Sequence, residues 1–192
     1  MFQNGFKKLL ATLTIFIIGI FLIYFITSQF FKKVSPKEIT FEPEKEEIID
    51  DQRIDYLAPD FELLDVEGKK VKLSDYINKM IVLTFWTTWN PAAQDQLAIL
   101  ESYYQEIKDS KDVVLLTINN QEDKNIVSNF IRRGEYILPV LLDESGKVGE
   151  LYEISTLPAT YFINRERKIK EIYVGVLNQE EIKNSVGRLY LQ

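Results

Sequence analysis

The stretch FWTTWNPAA, residues 85–93, joins two strong structural patterns. Ile81–Phe85 is a continuous apolar run, which is typical of a buried parallel strand. From Pro91 to about Lys108, apolar residues recur at helical spacing. Asn90 is a preferred N-cap residue, and Pro91 then fits the first helical position, which needs no free N–H. The stretch therefore predicts a buried strand, a short turn and a capped helix.

The pattern around this unit predicts an alternation of strands and helices. Before it come two short strands that form a hairpin, then a short helix capped by Ser74. After it come a strand, a helix, a strand, a short helix, a second hairpin and a closing helix. The predicted bounds are strands 61–64, 71–73, 113–118, 137–142, 159–164 and 169–174, and helices 74–79, 122–133, 146–152 and 179–190. This order predicts an α/β fold whose mixed sheet has a parallel part and an antiparallel edge.

The composition excludes several kinds of chemistry. The 192 residues include no cysteine and no histidine. A disulfide, a thiolate nucleophile, a thiolate zinc site, a histidine metal cluster and an imidazole proton shuttle are all excluded. Residues 34–192 hold all 29 acidic residues and 19 of the 23 basic residues, a formal charge of −10. Such a surface repels nucleic acid, so we expect no nucleic-acid partner.

The N-terminal part predicts a tether. Residues 9–27 form a 19-residue run without charge, long enough for a transmembrane helix, after a short tail at 1–8. A cleaved signal peptide is the alternative, but no small-x-small cleavage site follows the run. Residues 28–56 form an acidic linker with two prolines, which cannot bury much apolar surface. The globular domain is expected at 57–192.

Two separated segments resemble one protein family. FWTTWNPAA resembles the active-site turn of membrane-anchored thioredoxin-like thiol–disulfide oxidoreductases, which include the bacterial cytochrome c maturation proteins. These belong to the broad alkyl hydroperoxide reductase/thiol-specific antioxidant superfamily. Residues 157–164, LPATYFIN, resemble the family's cis-proline segment, and Ala58-Pro59-Asp60-Phe61 resembles its opening hairpin. The resemblance covers about residues 57–190. It implies a thioredoxin-like fold behind a single-pass anchor in the cell membrane, with the domain on the extracytoplasmic side.

The chain departs from the family at both reactive positions. Asn90 stands where the family has its nucleophilic cysteine, and Ala93 where it has the resolving one. An amide cannot become a comparable nucleophile, and a methyl group cannot resolve a mixed disulfide. Asn90 has two interpretations, a helix cap or a group that recognises a polar ligand. No residue is expected to be catalytic.

The resemblance also implies a groove that needs no sulfur. In the family, the proline equivalent to Pro158 is cis, and the backbone of the residue before it, here Leu157, pairs with an extended substrate. Trp86 is expected in the core, whereas Trp89 is expected to face the groove. The candidate binding residues are Trp89, Asn90, Pro91, Leu157 and Pro158. The alternative is that Pro158 only sets the turn into the next strand.

The leading hypothesis is a redox-inactive relative of these enzymes that binds or regulates a protein or peptide partner. No cofactor and no metal are expected. A second hypothesis is a non-catalytic subunit of an oxidoreductase complex whose partner supplies the cysteines. A third, a carboxylate enzyme on the same fold, lacks a convergent pair of acids in the sequence.

Overall fold

The computed structural model describes residues 54–191 and, within a helix, Leu22 and Phe25. The chain divides into two units, residues 1–46 and 47–192, and the second is described below. The predicted tail and anchor lie outside the described residues apart from Leu22 and Phe25, as does the predicted linker before residue 54. Within the described part of the chain, no helix combines the length and apolarity needed to span a bilayer.

The described residues include seven strands, which are β1 Glu62–Asp65, β2 Lys70–Lys72, β3 Met80–Trp86, β4 Val113–Asn120, β5 Val140–Asp143, β6 Ala159–Ile163 and β7 Ile169–Val174. They form one mixed sheet in the order β2-β1-β5-β4-β3-β6-β7. The central strands β3, β4 and β5 are parallel, while β1 pairs antiparallel with β5 and β6 pairs antiparallel with β3. The predicted α/β class with a mixed sheet is confirmed, but the sheet has two antiparallel flanks instead of one antiparallel edge.

The sheet separates two apolar clusters, and β3 contributes alternate side chains to each. All seven residues of β3 are buried, as the continuous apolar run predicts. The helices on the two faces of the sheet are α1 Pro91–Ile107, α2 Lys124–Arg133, α3 Lys147–Leu151 and α4 Gln179–Leu189. Met80, Val82 and Trp86 belong to the cluster on the side of α1, α2 and α4. Ile81, Leu83 and Phe85 belong to the cluster on the side of α3.

The strand predicted at 137–142 begins later than expected. The N–H groups of Ile137 and Leu138 donate to one carboxylate oxygen of Glu101 on α1, both at 3.0 Å. Pro139 follows and has no N–H to give to a ladder. The strand β5 therefore starts at Val140, because a side chain from a distant helix takes the preceding backbone donors.

Two predicted helix starts are also wrong. A 3-10 helix at Leu73–Tyr76 replaces the helix predicted from Ser74. Its N-cap is Lys72, whose N–H donates to the Asp75 carboxylate, and Ser74 lies inside the helix and does not cap it. The helix α2 begins at Lys124 with Asp123 as its N-cap. Glu122, the predicted first residue, instead accepts a hydrogen bond from Thr88, just after the end of β3.

Candidate functional site

The turn after β3 is joined to α1 by the Asn90 side chain. Its Oδ1 accepts a hydrogen bond from the Ala93 N–H at 3.3 Å, and Pro91 follows at the first helical position. The predicted N-cap is therefore confirmed. Asn90 Nδ2 also donates to the Leu157 carbonyl oxygen at 3.0 Å, across 67 residues of sequence. One amide thus satisfies the helix start and ties it to a distant loop.

The loop opposite the turn contains the Leu157–Pro158 peptide bond, which is cis. Pro158 is buried, and its carbonyl oxygen accepts from the Gly175 N–H at 2.9 Å. Gly175 has a φ of +117°, a conformation that side chains rarely adopt, so glycine is required where β7 ends. Val174 and Val176, on either side of this glycine, are partly exposed next to the proline loop.

The Glu122 carboxylate also fixes the turn after β3. One carboxylate oxygen accepts from the Thr88 N–H at 2.6 Å and the other from the Thr88 hydroxyl at 2.5 Å. Asn119 Nδ2 at the end of β4 donates to the same carboxylate at 2.7 Å. The Gln94 side chain donates to the Thr88 carbonyl at 2.7 Å. The turn is therefore fixed by its own helix and by the adjacent strand.

This role of Glu122 differs from the prediction, in which Glu122 begins a helix. The sequence and the strand order together do indicate this role. Parallel strands end at the same edge of a sheet, and Trp86 lies opposite Asn119 in the register of β3 and β4. A carboxylate three residues after Asn119 thus lies at the same edge as the turn that follows Trp86.

A groove of about 370 Å³ runs between the turn and the proline loop. Trp89, Asn90 and Leu157 line it, and Trp89 is 69% exposed. Pro91 is exposed at the start of α1, and Pro158 is buried next to Leu157 in sequence. Neither proline lines the groove, so these two candidates only flank it. The other lining residues are Thr87, Asn120, Gln121, Ile154 and Ser155. Asn120 and Gln121 are not among the residues predicted for the site, although Asn120 ends a parallel strand and Gln121 follows it.

The groove offers contacts without an obvious reactive group. Its lining side chains carry hydroxyls, amides and apolar groups, and none is a carboxylate, amine or imidazole. A hydroxyl nucleophile needs an adjacent base, which these residues do not supply. Ala93 is fully buried. No group of three acids in the described part of the chain is arranged to hold a metal ion.

Comparisons with known proteins agree with this geometry. The AhpC/TSA family matches residues 54–172. A curated relative, the thiol-disulfide oxidoreductase ResA of Bacillus subtilis, is 34% identical over 65% of this chain and 69% of its own. The exposed lipoprotein thioredoxin Etrx1 of Streptococcus pneumoniae is 30% identical, with a TM-score of 0.62, over 68% of this chain and 99% of that one. StoA of Bacillus subtilis is 25% identical, with a TM-score of 0.61, over 68% of this chain and 98% of that one. The fold is therefore thioredoxin-like.

Proposed function

The chain belongs to the AhpC/TSA family, and we propose that within it this protein is a redox-inactive, membrane-tethered module that binds an extended protein or peptide segment. The observation that carries the proposal is the double hydrogen bond of Asn90. The amide joins Ala93 and Leu157, so the two walls of the groove are held together without any thiol.

Redox inactivity rests on the sequence and on the family match together. Thiol–disulfide exchange requires a thiolate to attack and a second sulfur to leave, and the chain contains no cysteine. Asn90 and Ala93 occupy the start of α1, where the resemblance places the dithiol. We infer that the family's groove persists here while its reaction has been lost.

The binding mode follows from the groove's backbone and its exposed apolar groups. No described residue accepts a hydrogen bond from the Leu157 N–H. Its carbonyl oxygen accepts from Asn90 but has a second lone pair. An extended peptide could pair with both groups in the manner of an added strand. Trp89, with Val174 and Val176 at the far side of the loop, supplies the apolar contact that such a segment needs.

Binding to the groove can be measured through the protein's own tryptophans. Trp86 is fully buried and Trp89 is 69% exposed, so a ligand in the groove should change the emission of Trp89 alone. Peptides selected on the full-length chain should shift the fluorescence of the wild type. Trp89→Phe, which leaves Trp86 as the only tryptophan, should show no shift. A selection that yields no groove-binding peptide would contradict the proposal.

A parallel assay separates this function from the family's chemistry. The full-length chain, supplied with a reducing system, should reduce no disulfide and consume no peroxide above a buffer blank. Activity that appears only when a cysteine-bearing partner is added would favour the non-catalytic subunit of an oxidoreductase complex instead.

The tether is part of the same proposal. It is supported by the uncharged run at 9–27 and by the description of the similar pneumococcal protein as an exposed lipoprotein. A lipid-modified cysteine is not available to this chain, so a helix would have to serve as the anchor. Full-length protein should stay with membranes after carbonate washing, and external protease should cleave it in intact cells. A mature protein that begins after Thr27 would disprove the anchor.

A further inference from the structure

The end of the sheet opposite the groove forms one continuous surface. The parallel strands β3 and β4 begin at this end, and the turn between β6 and β7 lies beside them. In that turn Arg165 forms an ion pair with Asp112 at 3.1 Å, and its guanidinium carbon lies 5.6 Å from the centre of the Tyr190 ring, just after α4. The Ile169 N–H donates to the Tyr56 carbonyl oxygen at 2.9 Å, so the described domain begins at the same end.

The same surface is a basic end on an acidic domain. The basic end comprises residues 54–57, 77–80, 107–113, 164–170 and 189–191. It carries seven basic and four acidic residues, a formal charge of +3, whereas the rest of the described domain carries nine basic and 18 acidic residues, a formal charge of −9. Lys108, Lys111 and Lys168 are exposed and form no ion pair with another described residue. Their ammonium groups are therefore available to an anionic surface.

Exposed apolar side chains lie among these cations. The large apolar residues exposed at the basic end are Tyr56, Leu57, Ile77, Tyr190 and Leu191. Leu57 forms an isolated bridge with Lys168, so a cation and an apolar side chain are neighbours there. Lysine and arginine mixed with tyrosine and leucine are typical of surfaces in the interface of a bilayer, where cations meet lipid phosphates and apolar groups enter the headgroup region.

From these observations, we propose that the basic end docks on the surface of a bilayer that contains anionic lipid. The residues before 54, which include the uncharged run at 9–27, join the domain at this end. Residues 28–53 can span at most about 90 Å, so an anchored chain keeps the basic end at a high effective concentration near the headgroups. The inference rests on the tether of the proposed function and not on peptide binding. Docking leaves the groove at the end of the domain that faces away from the bilayer.

The test uses a fluorophore at one site per molecule, which the absence of cysteine allows. Asp109→Cys places the label at the basic end, and Thr156→Cys places it in an exposed loop at the groove end. The full-length chain is reconstituted in vesicles of phosphatidylcholine alone or of equal parts phosphatidylcholine and phosphatidylglycerol. Both contain a lipid with a nitroxide headgroup that quenches nearby fluorophores. The label at position 109 should be quenched in the anionic vesicles only, high salt should relieve the quenching, and the label at position 156 should stay unquenched.

Each other result contradicts the proposal. Quenching at position 109 that is the same in both vesicles would show contact without recognition of anionic lipid, and equal quenching at positions 109 and 156 would show contact without a preferred end. Protein that carbonate washing removes from the vesicles would disprove the tether and this proposal together. Anchored protein whose label at position 109 is unquenched in both vesicles would disprove the docking alone and leave the basic end to another acidic partner.

The cations of the basic end have a matched control. Lys111→Gln with Lys168→Gln removes two charges at the basic end, and Lys124→Gln with Lys147→Gln removes two at the starts of α2 and α3. Each lysine near an anionic bilayer strengthens binding about fivefold, so the first pair should lower the ratio of docked to undocked protein at least about tenfold and the second less than about twofold. The quenched fraction of the label at position 109 measures this ratio. Equal effects of the two pairs would show that only net charge matters, which contradicts a docking end.

The apolar side chains have a matched control as well. Ile77 at the basic end and Ile137 before β5 are exposed to similar extents, 58% and 55%. Ile77→Ser should lower the ratio of docked to undocked protein about threefold, because less apolar surface enters the headgroup region, and Ile137→Ser should change it less than about 1.5-fold. If Ile77→Ser docks as well as the wild type, the apolar part of the proposed surface is wrong.

Discussion

The helices α1 and α4 both begin at an asparagine N-cap, but the two asparagines have different roles. Asn90 and Asn178 both have extended backbones, and each accepts a hydrogen bond from the N–H three residues on, at 3.3 Å and 3.0 Å. At α4 the Glu181 carboxylate returns the bond by accepting from the Asn178 N–H at 2.6 Å. That cap is complete within four residues of sequence.

The start of α1 is completed from elsewhere in the fold. Its first turn contains no acid, whereas that of α4 contains Glu180 and Glu181. The second bond of Asn90 goes to Leu157, in a loop on the opposite side of the groove. The difference teaches that an asparagine cap visible in the sequence can be purely local or can also hold two distant segments together.

Cysteine pairs placed at the two helix starts should give the largest contrast. Asn90→Cys with Ala93→Cys, and Asn178→Cys with Glu181→Cys, each put two cysteines three residues apart. Residues three apart in the first turn of a helix have Cα atoms about 5–6 Å apart, within reach of a disulfide. Both pairs should close under mild oxidant. Only the pair on α1 should reduce a disulfide substrate with a reducing system, because position 90 lines the groove and position 178 does not.

The thiols themselves provide a second measurement on these variants. The Cys pKa at position 90 should lie at least about one unit below that at position 178, since α1 has no acid in its first turn to oppose the thiolate. A disulfide that forms on α1 without turnover would show that the groove has diverged toward binding. If no disulfide forms at 90 and 93, the assignment of these positions to the family's dithiol is wrong.

Alanine at each cap should give a smaller contrast in stability. Asn90→Ala loses a cap contribution of about 1 kcal/mol and a cross-fold hydrogen bond of about 1 kcal/mol, so its free energy of unfolding should fall by about 2 kcal/mol. Asn178→Ala should lose about 1 kcal/mol, since among the described residues its side chain bonds only to the Glu181 N–H. Urea unfolding followed by tryptophan fluorescence measures both.

Aspartate at the same two positions is the matched control for that measurement. Aspartate caps helices about as well as asparagine but cannot donate from its side chain when ionised. Asn90→Asp should therefore lose about 1 kcal/mol, the part that belongs to the bond with Leu157. Asn178→Asp should stay within about 0.5 kcal/mol of the wild type. If Asn90→Asp is equally stable, the bond with Leu157 contributes nothing measurable.

The features that sequence predicts well are those decided within a few residues. The apolar run of β3, the stripe of α1 and the Asn90-Pro91 cap are all found where the local pattern places them. The resemblance supplied the cis bond before Pro158, which local sequence does not show.

The features that sequence analysis missed depend on partners far along the chain. Glu101 takes the N–H groups before β5, so the predicted strand loses its first three residues. Glu122 bonds to Thr88 instead of beginning a helix, and Asn90 reaches Leu157. Each of these contacts needs the strand order before it can be foreseen, because only the folded sheet brings the partners together.

The bond between Asn90 and Leu157 has a consequence for how the groove responds to its surroundings. A dithiol at a helix start opens and closes with the local thiol–disulfide potential, and for such a two-electron couple about 30 mV corresponds to about 1.4 kcal/mol. The carboxamide of Asn90 exchanges no electrons, and the chain has no cysteine elsewhere. The free energy of unfolding and the geometry of the groove therefore do not depend on that potential. Both stay the same in reducing and in oxidising surroundings.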